Sequence, residues 1–435
     1  RTVRDAVQLP CGVQMANRFA KGAMTECIAS PATNAPHKGH VKLYHRWAKG
    51  GAGMLITGNI MVDRRYREAP RNVVVEDERH LNILKRWADA THAPKAAGDG
   101  KPTLLVAQIS HPGRQCPISV AWTPVAPSPV KVNIPGAPPF FNTPRQLTGE
   151  EVTDIIARFA TTASILQKAG FDGVEVHSAH GYLISQFLSP LANKRTDEWG
   201  GSPEKRRRFL LEVVRAVRAA TGASFVIGVK INSADFQKGG FTEEESTEVI
   251  LALEAEGIDF IEISGGTYEN AEMMKAAKRE STRLREAFFL EFAEKLSQRT
   301  TVPLMVTGGF RTLEGIEAAV GSGAVDIVGQ ARPYCIEPDL PRQFIAGQLS
   351  RTRQYDLSIG PAFARQTTEP TMQNFFHQRL MAMMAAGQEP ALTPGKLWCV
   401  TGMLFRTYVW DWAAKPVRNV ALLLLLCAAA AYCRL

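Results

Sequence analysis

An α/β fold, a single (β/α)8 TIM barrel with a C-terminal extension, is what this 435-residue sequence predicts. Three observations carry the prediction. Eight short apolar runs of strand length recur between Asn17 and Gln348. Longer stretches with apolar residues at three- and four-residue spacing separate them, as expected of helices that cover one face of a sheet. Polar residues then fall repeatedly just after the runs, where a closed parallel barrel keeps its chemistry. An open doubly wound sheet also alternates strands and helices, but eight successive units favour closure.

The predicted strands, in order, are Phe19–Ala23, Met54–Thr57, Thr103–Ile109, Gly173–His177, Phe225–Ile231, Phe260–Ser264, Leu304–Thr307 and Ile327–Gly329. The predicted helices are Arg79–Ala93, Glu150–Ala169, Lys205–Ala220, Glu243–Glu256, Ala287–Gln298, Thr312–Gly321 and Pro338–Ile345. Within the second of these, Ile155, Ile156, Phe159 and Ala163 form one apolar stripe. Thr148 and Thr242 each stand before carboxylates, the signature of a threonine N-cap. The proline-rich stretch Cys116–Pro144 reads as a loop over the barrel mouth.

The barrel is assigned to residues 1–350, and residues 351–395 to an irregular, partly helical tail. Residues 396–435 form an apolar segment with three tryptophans and 14 consecutive apolar residues from Val420 to Cys433. That run is shorter than the roughly 20 residues a spanning helix needs. It reads either as a buried helix or as a hairpin resting on a membrane, anchored by Trp398, Trp410, Trp412, Lys396, Lys415 and Arg418.

Composition narrows the class. An apolar fraction of 45% with 21% charged residues fits a globular enzyme with a full core. The net charge of +9 is spread along the chain, which suits an anionic cofactor better than nucleic acid. Seven scattered cysteines without a C-x-x-C pair predict neither a zinc ribbon nor a cysteine-bound cluster. They point to a reducing, cytoplasmic compartment, with membrane association through the C-terminus as the alternative.

The strand ends hold the candidate chemistry. His177, His180 and Tyr182 follow the fourth strand within six residues. Two neutral imidazoles can polarise one carbonyl oxygen, and a phenol suits a general acid. The same histidines invite a metal reading, although no third ligand stands at convincing spacing. Lys230 in the fifth strand either faces an electron-rich cofactor edge or pairs with Glu175 or Glu262. Gly308 and Gly309 after the seventh strand, with Arg332 after the eighth, read as a phosphate site or as a tight turn.

The run HSAHGYLISQFLSPLANKRTDEWGGSPEKRRRFL resembles the signature of the Old Yellow Enzyme family of FMN-dependent ene-reductases. NRFAKGAMTE at 17–26, GGAGMLITGN at 50–59, AQISHPGRQ at 107–115, GVKINSADF at 228–236, VTGGFR and GQARP follow in family order. The resemblance implies FMN held at the strand ends. Ala23, Met24 and Thr25 would line its ring system, Asn59 and Gln108 its pyrimidine edge, and Lys230 its N1 and O2. Gly308, Gly309, Ala331 and Arg332 would hold the phosphate. His177 and His180 would bind the carbonyl oxygen of an enone or enal, and Tyr182 would protonate Cα after hydride transfer. NADH or NADPH would supply that hydride. Two other readings stay open: a membrane-associated flavin barrel with a different redox role, and a metal-dependent barrel hydrolase.

Overall fold

The computed structural model describes residues 1–98, 100–134, 140–266, 269, 289–355, 357 and 362–391. The apolar segment 396–435 lies outside the described residues. Eight parallel strands close a ring: β1 (Phe19–Lys21), β2 (Met54–Ile56), β3 (Leu104–Ser110), β4 (Gly173–Ser178), β5 (Val226–Asn232), β6 (Phe260–Ser264), β7 (Leu304–Thr307) and β8 (Ile327–Gln330). Each pairs with the next, and Gly329 of β8 opposite Ala20 of β1 seals the barrel. Every predicted run became a strand, with ends shifted by at most two residues.

Alternate residues of each strand point inward, and the interior is layered. Its lower half is apolar: Met54, Leu104, Val226, Phe260, Met305 and Ile327 pack together above Val7, Leu9 and Met15. Those last residues come from an N-terminal hairpin, Val7–Gln8 against Gln14–Met15. Gly228 is needed here, since a Cβ on it would sit 2.1 Å from the Phe260 ring. One layer higher the lining turns polar, with Gln108, Glu175, Lys230 and Glu262 all buried.

The lower rim is fastened by three aspartates that precede even-numbered strands. Asp172 accepts from the Leu105 N–H, Asp259 from Ile227 and Asp326 from Leu304, at 2.7, 2.7 and 3.0 Å. Each carboxylate satisfies a strand N–H within the first two residues of the neighbouring odd-numbered strand.

The helices Gly149–Lys168 and Glu243–Ala255 begin at the predicted threonine caps, each closed into a capping box by a glutamate. The helix Lys38–Lys49 was not predicted. It is capped by His37, whose Nδ1 accepts from the Gly39 N–H at 3.0 Å, while His40 returns the bond to the His37 N–H at 3.2 Å. A box built from two histidines has none of the Ser, Thr or Glu signals that mark helix starts.

The tail is more regular than expected. Ala362–Ala386 is one helix of 25 residues, and Met372, Phe376, Leu380, Met381 and Met384 on it join the barrel's own apolar core. Ala385 packs against Gly39 on the Lys38–Lys49 helix, where a Cβ would sit 2.6 Å from the His37 ring and 3.4 Å from Ala385. Among the described residues no helix is long and apolar enough to cross a membrane. In the insertion, Val125–Ala126 pairs with Arg145–Gln146. Arg195 locks that pairing by donating to the Pro127 and Leu147 carbonyls while forking onto Asp197.

Candidate active site

Beyond β4 the backbone turns through a left-handed His180 (φ 59°) and then Gly181 (φ 76°). This turn folds three side chains onto one another. His177 Nε2 lies 3.1 Å from His180 Nδ1, and the Tyr182 ring is 4.6 Å from the His177 ring. The ends of the next two strands hold His180 in place. Its Nε2 lies 2.7 Å from the Ser264 hydroxyl of β6, and its N–H donates to Asn232 of β5. Asn232 is itself fixed by Asp235 and the Gly266 carbonyl.

Burial keeps both imidazoles neutral. It pushes His180 down to about 3 and His177 well below the usual range, with Lys230 adding to both and His180 adding to His177. Neutrality then orients the chain of contacts. With Asn59 Oδ1 3.0 Å from His177 Nδ1, that nitrogen carries the proton and His177 Nε2 accepts. His180 Nδ1 donates to it, and Ser264 donates to His180 Nε2.

Glu68 lies at the centre of the site, and sequence reasoning missed it. Its carboxylate accepts from the Tyr182 phenol, the Thr25 hydroxyl, the Asn59 amide at 2.7 Å and the Asn72 amide at 3.1 Å. Three of those four donors are predicted site residues. The segment around Glu68 follows the short strand Ile60–Met61 and has no periodicity that would single out one carboxylate. Ser264 was findable, because it ends β6 as His177 nearly ends β4.

One layer down, Lys230 Nζ lies 2.7 Å from Glu262 Oε1, so its ion-pair partner is Glu262. Gln108 gives its Nε2 to Glu175, its partner in the strand register, which commits that donor within this layer. Glu175 is pushed well above the usual carboxyl range, first by burial and then by Glu262. Burial opposes charge on Lys230, but Glu262 and Glu175 outweigh it and hold the ammonium above its ordinary value.

The third group sits at β7 and β8. Gly308 and Gly309 are both left-handed, at φ 104° and 81°. Gly22 donates to the Gln330 carbonyl, and Met24 Sδ lies 3.8 Å from Cys335 Sγ. Gly22, Ala23 and Met24 thus run from this end to Thr25 beside Glu68. Ala331 caps the short helix that Arg332 begins. Thr307 Oγ1 and Gln330 Oε1 are buried without a hydrogen-bond partner among the described residues. A hydroxyl, a carboxamide oxygen and two backbone positions freed by glycine suit a polyhydroxylated phosphate ester. FMN is such a ligand, and the residues fit it. Among the described residues no three metal-ligating side chains converge.

A sequence profile of the NADH:flavin oxidoreductase / NADH oxidase family matches residues 10–350. The NADH-dependent flavin oxidoreductase iliE of Hypocrea jecorina is 39% identical over 77% of this chain and 87% of its own length. The NADH-dependent flavin oxidoreductase nadA of Aspergillus parasiticus is 38% identical over 77% and 76%. Morphinone reductase, solved in complex with tetrahydroNAD, superposes with a TM-score of 0.67 over 85% of this chain and 97% of that one. At 24% identity that likeness speaks for the fold.

Proposed function

The chain belongs to the NADH:flavin oxidoreductase / NADH oxidase family, the family of the Old Yellow Enzymes, and from that premise we propose that it is an FMN-dependent ene-reductase. Its class is a nicotinamide-dependent flavin oxidoreductase. The finer reading rests on one observation: two neutral imidazoles and a phenol are packed against one another at the end of β4. Bound FMN would supply hydride transfer, taking a hydride from NADH or NADPH and delivering one to Cβ of an α,β-unsaturated carbonyl compound.

The protein's own groups do the rest. His177 Nε2 and His180 Nδ1 bond each other at 3.1 Å, so a carbonyl oxygen that takes both must part them and meet His177 as its Nε2–H tautomer. Donation there draws electron density from the alkene and makes Cβ electrophilic. Tyr182 holds a proton beside them and delivers it to Cα as a general acid. Lys230 lies below, where a buried cation favours negative charge on a ring above it. Thr25, Ala23, Met24, Asn59 and Gln108 line the ring-binding side, while Gly308, Gly309, Ala331 and Arg332 take the phosphate. The substrate is a small enone or enal.

Anaerobic turnover of an enone panel with deuterated NADH or NADPH, and separately in D2O, tests this. The expected product carries nicotinamide deuterium at Cβ and solvent deuterium at Cα. A flavin that is reduced by nicotinamide but never reoxidised by any enone would sink the reading.

A further inference from the structure

Beneath the site, three ionisable side chains are sealed from water. Glu175 and Glu262 are fully buried and Lys230 is 4% exposed. They project from β4, β6 and β5, where Lys230 stands opposite both His177 and Glu262 in the strand registers. Charge counting is unbalanced, because two carboxyls face one ammonium. Hydrogen bonding is unbalanced as well. Lys230 lies 2.7 Å from Glu262 Oε1 as an ion pair and Gln108 reaches Glu175 Oε2, whereas Glu175 Oε1 and both Glu262 oxygens receive no well-formed hydrogen bond among the described residues. A lone anion sealed here would be strongly destabilising. A single proton between the two carboxyls corrects both deficits.

We propose that Glu175 and Glu262 share one proton and act as a pair, so that together they present a single negative charge to Lys230 whichever of them is ionised. The shared proton makes the floor neutral overall and tempers the cation that faces the bound flavin. Glu175 and Glu262 lie within hydrogen-bond reach of each other, and two buried carboxyls so placed do not both ionise, their protons belonging to the pair. The directions agree, since Glu175 is pushed up by burial and Glu262 while Glu262 is held down by Lys230 against burial. The other groups in range are Gln108 from β3, Thr307 from β7, Lys21 from β1, and His177 and His180 above. None of these supplies a second cation in contact with the carboxyls.

The consequence is compensation. In Glu262→Gln the remaining Glu175 gives up the proton and becomes the counterion; in Glu175→Gln, Glu262 already is one. Each single variant therefore keeps one negative charge beside Lys230, and only the double variant frees the ammonium. This inference rests on the FMN reading for its redox arm. That arm compares the midpoint potential of bound flavin in wild type, both single variants and the double variant.

The singles should alter the ratio of reduced to oxidised flavin affinity by less than about threefold. The double should raise it by about tenfold or more, close to 30 mV for a two-electron couple. Equal, additive shifts from the two singles would mean both carboxyls are ionised and would overturn the proposal. The second arm needs no flavin and no double variant. Infrared spectra in H2O and D2O should show a buried protonated carboxyl in the wild type that disappears in both single variants. A band absent from the wild type, or one surviving in Glu262→Gln, overturns the shared proton. A protein that holds no flavin would refute the functional reading while leaving this second arm decisive.

Discussion

The Tyr182 phenol donates to the Glu68 carboxylate, and the same carboxylate gathers Thr25, Asn59 and Asn72. Glu68 fixes the phenol in one orientation by taking its O–H. Tyr182→Phe should slow the alkene half-reaction by about 10²–10⁴, the usual worth of a general acid. Reduction of the flavin by nicotinamide should stay within about twofold, because that step draws no proton from Tyr182. Stopped-flow measurement of both half-reactions decides the matter. A parallel loss in flavin reduction would show that Tyr182 is not the proton donor.

The histidine chain makes a sharper claim about Asn59. An oxygen between His177 Nε2 and His180 Nδ1 needs both nitrogens protonated, so His177 must carry its hydrogen on Nε2 and accept at Nδ1. Asn59 allows this only by turning its amide to offer NH2 in place of oxygen, which exchanges its bond to Glu68 for one to His177. Asn59→Asp offers only acceptors and holds the hydrogen on Nδ1. Phenolic ligands, which place an oxyanion between the histidines, should bind about tenfold more weakly to it, the scale of one lost hydrogen bond to a charged group. Unchanged phenol affinity by spectral titration would remove Asn59 from this role.

The barrel was legible because its strands are parallel and buried on both faces, so they read as continuous apolar runs such as Phe225–Ile231. Inspecting strand ends found His177, His180 and Tyr182, because that rule follows from topology alone. Glu68 was not legible, since its position depends on how an aperiodic segment folds back. Asn72 was hidden for the same reason, whereas Asn232, which ends β5, was open to the same strand-end inspection as Ser264. The Lys230 partner stayed ambiguous in sequence because strand register, which sets Lys230 beside Glu262, is not visible in residue types.

Arg332 supplies a test at the other end of the site. If it contacts a phosphate, Arg332→Ala should weaken FMN binding far more than riboflavin binding. The affinity ratio should fall by about tenfold, as expected of one charge-assisted contact. Equal losses for both ligands, measured by fluorescence titration of apoprotein, would locate the phosphate elsewhere.

The lower rim should matter for stability and not for rate. The Asp259 carboxylate is fully buried and accepts from the Ile227 N–H, the Cys11 N–H and Arg218. Asp259→Ala strands those donors and should cost about 3 kcal/mol or more. The turnover number of the folded fraction should be unchanged. A specific loss of kcat, with an unmoved denaturation midpoint, would contradict this division between the two rims.

Acid should unfold this protein early, in a pH window set by its histidines. His40, His180 and His377 are pushed by burial to about 3, His111 to about 4, and His177 well below its ordinary value. In the unfolded chain each titrates near 6.5. Between those values the unfolded state binds more protons, so stability rises with pH and is lost as pH falls below about 6.5. Glu175 and Asp235, pushed up by burial, work the other way, while His92, raised by Asp172, is protonated in both states below about 6.5 and adds no slope there. The lowered histidines outnumber these two carboxyls, so the net slope keeps the histidine sign. Carboxylates held below their ordinary range by arginines, such as Glu151 beside Arg145, lose their contribution only under about pH 4.5 and do not blur the window. Thermal midpoints should therefore fall steeply from pH 6.5 to 5. His111→Asn, whose amide oxygen can replace the ring nitrogen that accepts from Gly113, should reduce that slope by one group. A midpoint flat across the window, or a slope His111→Asn leaves intact, would mean these imidazoles take up protons while the barrel is still folded.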